Sequence, residues 1–279
     1  MTKAIKDKIR TKIRIFWLYP LLVFIFFLCY IHLADAEDFT NTLLKVKPSV
    51  VGVGTFQTAR QPQSIVQGSG FVIGNGQYIF TNQHVLPEGY STTYKESLSV
   101  FHGSGDNTAI YPVTVVAESK ETDLALLKLN NDVHLPTLQM ASMSDVKEGM
   151  AVAITGFPFG SSLGFFPVTH RGIVSALPPI AVPAPGTKAL SAHRIRELDN
   201  PYTIIQLDIV AYPGNSGSAV YDVETGKVLG ILNSTFIKSS KEEAISSPTG
   251  ISFAIPVSAM QKMYDTHMTN QKPEPVSNN

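Results

Sequence analysis

Short runs of apolar and β-branched residues, each bounded by turn-forming residues, follow one another along the chain after Pro48. Runs of this length and composition predict β-strands. They lie at residues 49–56, 70–73, 77–81, 98–101, 109–117 and 123–129. The sequence Gly74-Asn75-Gly76 between the second and third runs is typical of a hairpin turn. Short strands at this spacing favour an antiparallel barrel, which we expect to occupy about residues 48–130.

A second series of apolar runs follows a polar connecting stretch. These runs lie at residues 150–156, 166–175, 204–210, 218–222, 227–236 and 250–255. They predict a second barrel over about residues 149–256. A helix is expected to close this part of the chain between Pro256 and about His267. Proline is favoured in the first turn of a helix, and Val257, Met260 and Met263 lie on one face of it.

The N-terminal segment has the pattern of an export signal. Residues 1–14 carry six basic residues and one acidic residue, residues 15–33 are apolar, and Ala34-Asp35-Ala36 offers small residues where a signal peptidase cleaves. Residues 1–36 are therefore interpreted as a signal peptide, or as a signal anchor if they are retained, because the apolar run is nearly long enough to cross a bilayer.

Both interpretations of the N-terminal segment predict the same side of the membrane. The basic end stays in the cytoplasm, so the rest of the chain lies outside it. The expected location is periplasmic or secreted. The alternative is an inner-membrane protein whose only membrane contact is the segment 15–33.

The charge of the remaining chain argues against a nucleic-acid partner. The full chain has 22 Lys and Arg and 22 Asp and Glu, and residues 1–36 hold six of the basic and two of the acidic residues. What remains is mildly acidic and lacks the basic surplus that neutralises phosphates. Cys29, the single cysteine, lies in the apolar segment. No disulfide framework is possible, so burial of the core must hold the fold.

The turn Gly214-Asn215-Ser216-Gly217-Ser218 between two apolar runs carries the strongest chemical signal. A serine flanked by glycines on a turn between strands is exposed to a substrate carbonyl, and the N–H groups of Gly214 and Ser216 can converge on one point. Ser216 is thus a candidate nucleophile, with the N–H groups of Gly214 and Ser216 as candidate oxyanion donors. An ordinary hairpin turn has the same composition, so this string alone leaves both interpretations open.

Two residues earlier in the chain supply what a serine nucleophile needs. His84 follows the run 77–81, and Asp123 opens the run 123–129. A hydroxyl is a weak nucleophile at neutral pH, so it needs a base within hydrogen-bond reach, and the base needs a carboxylate to hold its tautomer. His84 is the candidate base and Asp123 its candidate partner, although either residue taken alone would also fit a structural role.

Six motifs carry a family resemblance. They are Gly68-Ser69-Gly70-Phe71-Val72-Ile73, Thr81-Asn82-Gln83-His84-Val85, Asp123-Leu124-Ala125-Leu126-Leu127-Lys128-Leu129, Gly172-Ile173-Val174-Ser175-Ala176, Pro213-Gly214-Asn215-Ser216-Gly217 and Gly250-Ile251-Ser252-Phe253-Ala254-Ile255-Pro256. In this order the chain resembles the HtrA/Deg-type trypsin-like serine proteases from about residue 40 to residue 265.

The resemblance implies an all-β fold and a catalytic function. The fold is two six-stranded antiparallel β-barrels with a C-terminal helix, in which His84 and Asp123 come from the first barrel and Ser216 from the second. The function is that of a serine endopeptidase with polypeptide substrates and a role in protein quality control. Residues 37–265 are expected to form the protease domain, and residues 266–279 a polar tail in place of the PDZ modules typical of the family.

One position departs from the family pattern. Ser218 stands where the family usually has a second glycine, and reduced backbone freedom there would lower activity. The competing hypothesis for the whole chain is a non-catalytic binding or chaperone module on the same scaffold, since folds are reused for different functions.

The trypsin-like arrangement also implies a pocket for the side chain before the scissile bond. Its expected lining is Val210, Tyr212, Asn233, Thr235, Gly250 and Ser252. Val210 would form the floor, and without an acid there nothing compensates the desolvation of a substrate Lys or Arg. The expected preference is a small or medium aliphatic residue.

Neither a cofactor nor a metal is implied. The other histidines show neither an HExxH pattern nor paired Cys and His spacing, and the phosphate-loop patterns are missing from the sequence. The proline-rich segment 177–201 is expected to be a long loop beside the catalytic loops. It would gate substrate or contact a partner, or else be solvated without a role.

Overall fold

The computed structural model describes residue 20 and residues 34–87, 96–179, 203–233 and 250–271. The apolar segment 15–33 apart from Pro20, most of the loop 177–201, Thr235 and residues 272–279 lie outside the described residues. The chain divides into two units, Met1–Leu43 and Leu44–Asn279. Within the part of the chain that is described, no helix has the length and apolar character needed to cross a membrane.

Helix α1 spans Ala34–Val46, and a 3-10 turn at Lys47–Ser49 leads into the first strand. Pro48 lies within this turn. A proline is tolerated in the first turn of a helix but cannot continue a longer one, because it lacks the N–H donor. The chain therefore changes from helix to strand at this point.

Six antiparallel strands close the first barrel in the order β1-β2-β3-β6-β5-β4. Their bounds are Val50–Phe56 for β1, Ser64–Ile73 for β2, Tyr78–Asn82 for β3, Ser97–His102 for β4, Ala109–Ser119 for β5 and Leu124–Leu129 for β6. Aliphatic side chains that include Val53, Val72, Ile79 and Leu127 fill its interior and are fully buried. Short 3-10 turns at Gln83–Val85 and Gly105–Asn107 connect its strands.

The second barrel has the same number of strands, closed in the order β10-β11-β12-β9-β8-β7. Its strands are β7 Ala151–Gly156, β8 Val168–Ala176, β9 Ile205–Asp208, β10 Ala219–Asp222, β11 Val228–Asn233 and β12 Ile251–Pro256. Its interior holds Val152, Ile154, Leu207 and Val220, again fully buried. Met143–Asp145 and Gly160–Leu163 form short 3-10 turns.

Helix α2, Val257–Asn270, follows β12 and links the two barrels. Its Tyr264 packs edge-on against Tyr78 of β3, with ring centroids 5.6 Å apart. Offset and edge-to-face aromatic pairs contribute roughly 0.5–1.5 kcal/mol beyond the burial of their area. The helix thus adds a contact between its own barrel and strand β3 of the first barrel.

The predicted fold class is confirmed, with two closed six-stranded barrels and a C-terminal helix. Some strand limits differ from the sequence pattern. Strand β2 begins at Ser64, earlier than the run at 70–73 indicated, because its first part has exposed side chains such as Ile65 and pairs only with β1. Strand β9 ends at Asp208, where its pairing with β12 ends. The limits of these two strands are set by the strands they pair with, and a local sequence pattern does not show which strands pair.

The register of the second barrel brings four segments to one end. Asp208 at the end of β9 pairs with Ile251 at the start of β12, and Asn233 at the end of β11 pairs with Phe253. Ala219, the first residue of β10, pairs with Ile231 near the end of β11. The turn before β10, which carries Ser216, therefore lies at the same end as the segments expected to line a pocket.

Candidate active site

His84 and Asp123 lie at neighbouring strand ends of the first barrel. His84 is in the 3-10 turn directly after β3, and Asp123 directly precedes β6. Because Asn82 of β3 pairs with Leu124 of β6, the two residues meet at the barrel edge. Nδ1 of His84 lies 2.6 Å from Oδ2 of Asp123. The structure thus brings together two of the three residues of the predicted triad by direct contact.

Asp123 adopts a left-handed backbone conformation, with φ at 51°. Non-glycine residues are uncommon there, but aspartate tolerates this region better than most. Two hydrogen bonds to the Asp123 carbonyl hold the turn, from Asn82 Nδ2 at 3.0 Å and from the Gln83 N–H at 3.1 Å. The conformation directs the carboxylate back toward His84, whose own N–H donates to Oδ1 at 2.9 Å.

The contacts of the carboxylate assign the tautomer of His84. An ionised carboxylate only accepts hydrogen bonds, so the Nδ1 that faces Asp123 Oδ2 must carry a proton and donate it. In the neutral imidazole the other nitrogen, Nε2, is then unprotonated and can accept a proton. The His84 side chain is 30 % exposed and that of Asp123 is 19 % exposed. A substrate can therefore reach the imidazole while the carboxylate stays largely shielded.

Asn233 contacts the same carboxylate. Its Nδ2 donates to Asp123 Oδ2 at 2.7 Å, and the residue is almost completely buried at the end of β11. The sequence pattern placed Asn233 in the wall of a substrate pocket, whereas the amide is engaged with Asp123. This hydrogen bond connects the second barrel to the residue that orients His84.

Ser216 lies in a tight turn next to the first barrel. The residue is 5 % exposed, and its carbonyl accepts the N–H of Ser69 in β2 at 2.8 Å. Gly68 is enclosed by this carbonyl and by the side chain of Val85, the residue after His84, since a Cβ at Gly68 would lie 3.0 Å from the one and 2.6 Å from the other. The turn that carries Ser216 therefore packs beside the turn that carries His84.

The four residues before Ser216 form a turn with a defined peptide orientation. The Asn215 N–H donates to Tyr212 O at 3.0 Å, Pro213 is the second residue, and Gly214 has φ at 95°. Proline followed by a glycine with positive φ is the pattern of a type II turn. Within the described residues, the Gly214 N–H has no backbone acceptor.

A contact from the loop after β7 holds this turn. The Phe159 N–H donates to Pro213 O at 2.6 Å. In a trans peptide the N–H points opposite to the C=O, so the Gly214 N–H points away from Phe159. Only glycine fits at position 214, because a Cβ there would lie 2.3 Å from Phe157 O.

The residues expected to line the pocket lie on adjacent segments. Val210 and Tyr212 follow β9 and are half-buried, Gly250 precedes β12 and is exposed, and Ser252 in β12 is buried. Thr235 falls outside the described residues. The carboxylate of the exposed Asp208 lies near Gly250, 3.5 Å from where a Cβ would be.

Aromatic rings flank Tyr212 on two sides. Its ring centroid is 5.3 Å from that of Phe159 and 5.9 Å from that of His170 in β8. Burial lowers the pKa of His170 below its ordinary value, and its Nε2 is enclosed without a hydrogen-bond partner in the described structure. His170 is thus uncharged at neutral pH and adds no positive charge beside Tyr212.

Ser218, the departure from the family pattern, lies beyond the strained part of the turn. The residue with positive φ after the nucleophile is Gly217, at 87°, and Ser218 itself has an ordinary backbone. Its hydroxyl is buried without a hydrogen-bond partner among the described residues, and a Cβ at Gly156 would lie 2.0 Å from it. The extra side chain is accommodated by a glycine opposite, so it does not distort the turn.

Two residues at the site escaped the sequence pattern. Ser69 and Phe159 both bond to the backbone of the nucleophile turn. Ser69 had a recognisable signal, since a small polar residue between Gly68 and Gly70 in a buried strand indicates close approach of another backbone. Phe159 had none, because its contact uses only the N–H and depends on its positive φ of 59°. Across the described residues, no cluster of three or more His, Cys, Asp or Glu suited to a metal ion is found.

Comparison with known proteins agrees with this arrangement. Residues 68–231 match the family model described as a trypsin-like peptidase domain. The matched segment contains His84, Asp123 and Ser216 and covers more than half of the chain.

Several similar proteins share the description "Probable periplasmic serine endoprotease DegP-like". The chain is 28 % identical to that of Marinomonas sp. over 272 residues, which cover 84 % of this chain and 50 % of the relative. It is 33 % identical to that of Halomonas elongata, and the match covers 71 % of this chain and 34 % of the relative. It is 30 % identical to that of Pseudomonas fulva, and the match covers 82 % of this chain and 40 % of the relative. The chain thus spans half or less of the length of these relatives.

Proposed function

The chain belongs to the family of trypsin-like peptidases, and we propose that it is a serine endopeptidase that hydrolyses peptide bonds with Ser216, His84 and Asp123. The observation that carries this proposal is the 2.6 Å hydrogen bond between His84 Nδ1 and Asp123 Oδ2. It leaves Nε2 of His84 as the basic nitrogen, which is what activation of a serine requires. The resemblance to HtrA/Deg-type proteases supports the same assignment.

The first chemical step forms an acyl-enzyme. Nε2 of His84 takes the proton of the Ser216 hydroxyl while Oγ attacks the substrate carbonyl carbon. The negative charge that develops on the carbonyl oxygen is stabilised by the N–H groups of Gly214 and Ser216. His84 then gives its proton to the leaving amine, and the peptide bond breaks.

The second step regenerates the enzyme. Water replaces the amine, His84 Nε2 takes a proton from it, and the resulting hydroxide attacks the acyl carbon. Collapse of the intermediate returns the proton to Ser216 Oγ and releases the new carboxyl end. Asp123 stays ionised throughout and stabilises the imidazolium, with Asn233 and the His84 N–H as its other donors.

We further propose a preference for small or medium aliphatic residues before the cut. The surroundings of Val210 and Tyr212 favour an apolar side chain, because burial of an unpaired ammonium or guanidinium costs several kcal/mol. Each 1.4 kcal/mol is about tenfold in kcat/KM, so Lys and Arg substrates should be rejected by at least roughly 10²-fold.

Peptide-library profiling of the wild type, Val210→Asp and Asp208→Asn tests this specificity. We expect Val and Ala to be preferred by the wild type, and Val210→Asp to shift the preference toward Lys and Arg with lower overall activity. Asp208→Asn is the matched control, because its carboxylate is exposed near Gly250 and its removal should leave the profile unchanged. A wild-type preference for basic residues that Asp208→Asn abolishes would show that Val210 is not the floor.

The relatives and the N-terminal pattern both support a location outside the cytoplasm. The relatives are described as periplasmic, and residues 1–36 have the pattern of an export signal. We therefore propose that the protein acts outside the cytoplasm on unfolded or damaged polypeptides. Cell fractionation and intact mass test this proposal. A soluble extracytoplasmic form that begins at Glu37 is expected, whereas residues 1–36 retained in a membrane fraction would indicate an anchored form.

A fluorophosphonate probe tests the catalytic proposal directly. We expect covalent labelling of the wild type at Ser216, located by peptide mass analysis, and no labelling of Ser216→Ala. Ser218→Ala is the matched control, because it removes a neighbouring serine of the same turn. A wild-type protein that binds unfolded polypeptides but is not labelled would favour the non-catalytic chaperone function.

A further inference from the structure

Ser69 lies in β2, where the first barrel meets the turn that carries Ser216. The residue is fully buried, and its polar groups all have partners. Its N–H donates to Ser216 O at 2.8 Å, and its hydroxyl donates to Gly214 O at 2.7 Å. The same hydroxyl accepts the N–H of Phe157 at 2.9 Å, and Thr81 Oγ1 donates to the Ser69 carbonyl at 2.8 Å. One residue therefore holds two carbonyls of the nucleophile turn and the first residue after β7.

Every carbonyl of this turn from Tyr212 to Ser216 accepts a hydrogen bond. The donors are Asn215 N to Tyr212 O at 3.0 Å, Phe159 N to Pro213 O at 2.6 Å, Ser69 Oγ to Gly214 O at 2.7 Å, Ser218 N to Asn215 O at 3.0 Å, and Ser69 N to Ser216 O at 2.8 Å. Ser69 supplies two of these five bonds. It is also the only one of these donors that comes from the first barrel.

Along the chain, one bond from Ser69 falls between the two proposed oxyanion donors, at Gly214 O, and the other falls directly after them, at Ser216 O. A peptide is planar, so fixing its C=O also fixes the direction of its N–H. The peptides that carry the N–H groups of Gly214 and Ser216 are separated by the peptide whose carbonyl accepts from Ser69 Oγ. Rotation of that middle peptide would change the dihedral angles of Gly214 and turn at least one donor away from the substrate.

Two glycines allow Ser69 to approach this closely. A Cβ at Gly217 would lie 2.0 Å from Ser69 O, and a Cβ at Gly156 would lie 2.6 Å from Ser69 Oγ. The contact at Gly217 is with backbone, so it excludes any other residue there without movement of the backbone, whereas a side chain at Gly156 would displace the Ser69 hydroxyl. The second barrel therefore leaves room for the Ser69 carbonyl at Gly217 and for its hydroxyl at Gly156.

We infer that Ser69 is a positioning residue that orients the oxyanion donors Gly214 and Ser216 from the first barrel. This inference rests on the proposed serine protease function. The hydroxyl does not touch the substrate. It acts by holding the middle peptide of the nucleophile turn and by tying that turn to the loop that begins at Phe157.

The test compares full-length Ser69→Ala and Ser69→Cys with the wild type on a fluorogenic peptide that has valine before the cut. We expect Ser69→Ala to lower kcat by on the order of 10²-fold, as loss of one oxyanion donor does, with KM changed by less than about threefold. A peptidyl boronic acid, which presents an oxygen to the oxyanion donors, should bind more weakly by a similar factor. Ser69→Cys keeps the size of the side chain but donates weakly, so its kcat should lie between the two.

The rate and the extent of fluorophosphonate labelling separate positioning from packing. If Ser69 positions the donors, Ser69→Ala is labelled to the same final extent as the wild type but more slowly. If Ser69 only fills space, the labelling rate constant stays that of the wild type and only the extent falls, which would overturn the inference. Ser69→Cys gives the same test should Ser69→Ala fold poorly.

Ser99→Ala is the matched control. Ser99 is also fully buried in the first barrel, and its hydroxyl bonds to Ser97 at 3.0 and 3.3 Å, with no other partner in the part of the chain that the structure describes. We expect its kcat and labelling rate constant to equal those of the wild type. A wild type that neither hydrolyses peptides nor is labelled would contradict the proposed function itself. An active wild type with an equally active Ser69→Ala would contradict only the inference about Ser69.

Discussion

The two halves of the site are held by different kinds of contact. In the first barrel, His84 and Asp123 are joined by direct hydrogen bonds to the carboxylate, at 2.6 and 2.9 Å, between residues at the ends of two paired strands. In the second barrel, the turn before β10 is held through its backbone by donors from β2, from the loop after β7 and from within the turn itself.

This difference separates chemistry from geometry. A substitution in the His84 and Asp123 pair changes which nitrogen carries the proton, while the paired strands keep the backbone in position. A substitution around the Ser216 turn changes where the N–H groups point, while the chemistry of the serine is unaltered. Activity in the second half is therefore sensitive to the order of the loops whose backbone hydrogen bonds hold the turn.

The largest expected effect tests whether the halves act as one unit. Ser216→Ala and His84→Ala should each lower kcat by on the order of 10⁶, because groups that act together are not additive, and the double variant should be no worse than either. Steady-state hydrolysis of a peptide substrate measures this. His134→Ala, an exposed histidine, serves as the control and should be fully active. Casein degradation by purified Ser216→Ala at the wild-type rate would falsify the assignment.

The next effect concerns the first half alone. Asp123→Asn should lower kcat by roughly 10⁴, since an amide can donate to Nδ1 of His84 and so favour the tautomer whose Nε2 is protonated. The pH profile of kcat/KM measures it together with the rate. Asp132→Asn is the matched control, because Asp132 is 95 % exposed and lies 3.5 Å from His134 in the other aspartate-histidine pair. Equal activity of Asp123→Asn and Asp132→Asn would remove Asp123 from the mechanism.

A smaller effect is expected at the contact between the second barrel and the His84 and Asp123 pair. Asn233→Ala removes the 2.7 Å hydrogen bond to Asp123 Oδ2. Hydrogen bonds to charged groups contribute about 1.5–3 kcal/mol, so kcat should fall by on the order of tenfold to a hundredfold. Asn130→Ala, which loses only a surface bond to Thr114, should leave kcat unchanged. Unaltered kcat in Asn233→Ala would mean that His84 and Asp123 need no support from the second barrel.

The smallest effect concerns Ser218, next to the sensitive turn. Its buried hydroxyl has no hydrogen-bond partner in the described ranges of the chain, and leaving a polar group unsatisfied costs about 1–3 kcal/mol. Ser218→Ala should therefore raise the free energy of unfolding by up to about 1 kcal/mol and change kcat by less than about twofold. Urea titration and peptide hydrolysis measure the two quantities. A loss of stability would show that the hydroxyl has a partner in solution, and a large fall in kcat would place Ser218 among the residues that hold the turn.

The sequence indicated the candidate catalytic residues more clearly than the residues whose hydrogen bonds hold them in place. His84, Asp123 and Ser216 each stand in a motif with its own local signature, and those motifs also carry the resemblance that predicted two barrels. The trypsin-like resemblance implied that Asn233 lines the pocket, and nothing in the sequence indicated that its amide also bonds to Asp123. The contact with Asp123 joins residues that are far apart in the chain.

The sequence by itself determined the fold class and the order of the motifs. Short apolar runs that form strands, and the glycine turns that bound them, are local features that can be recognised along the chain. Only the tertiary structure decided which backbone groups meet. The bonds from Ser69 and Phe159 to the nucleophile turn depend on barrel closure, on strand register and on the positive φ of Phe159 and Gly214. These are contacts between segments far apart in the chain. A hydrogen bond to a backbone atom places little constraint on which residue is present, so the sequence does not reveal it.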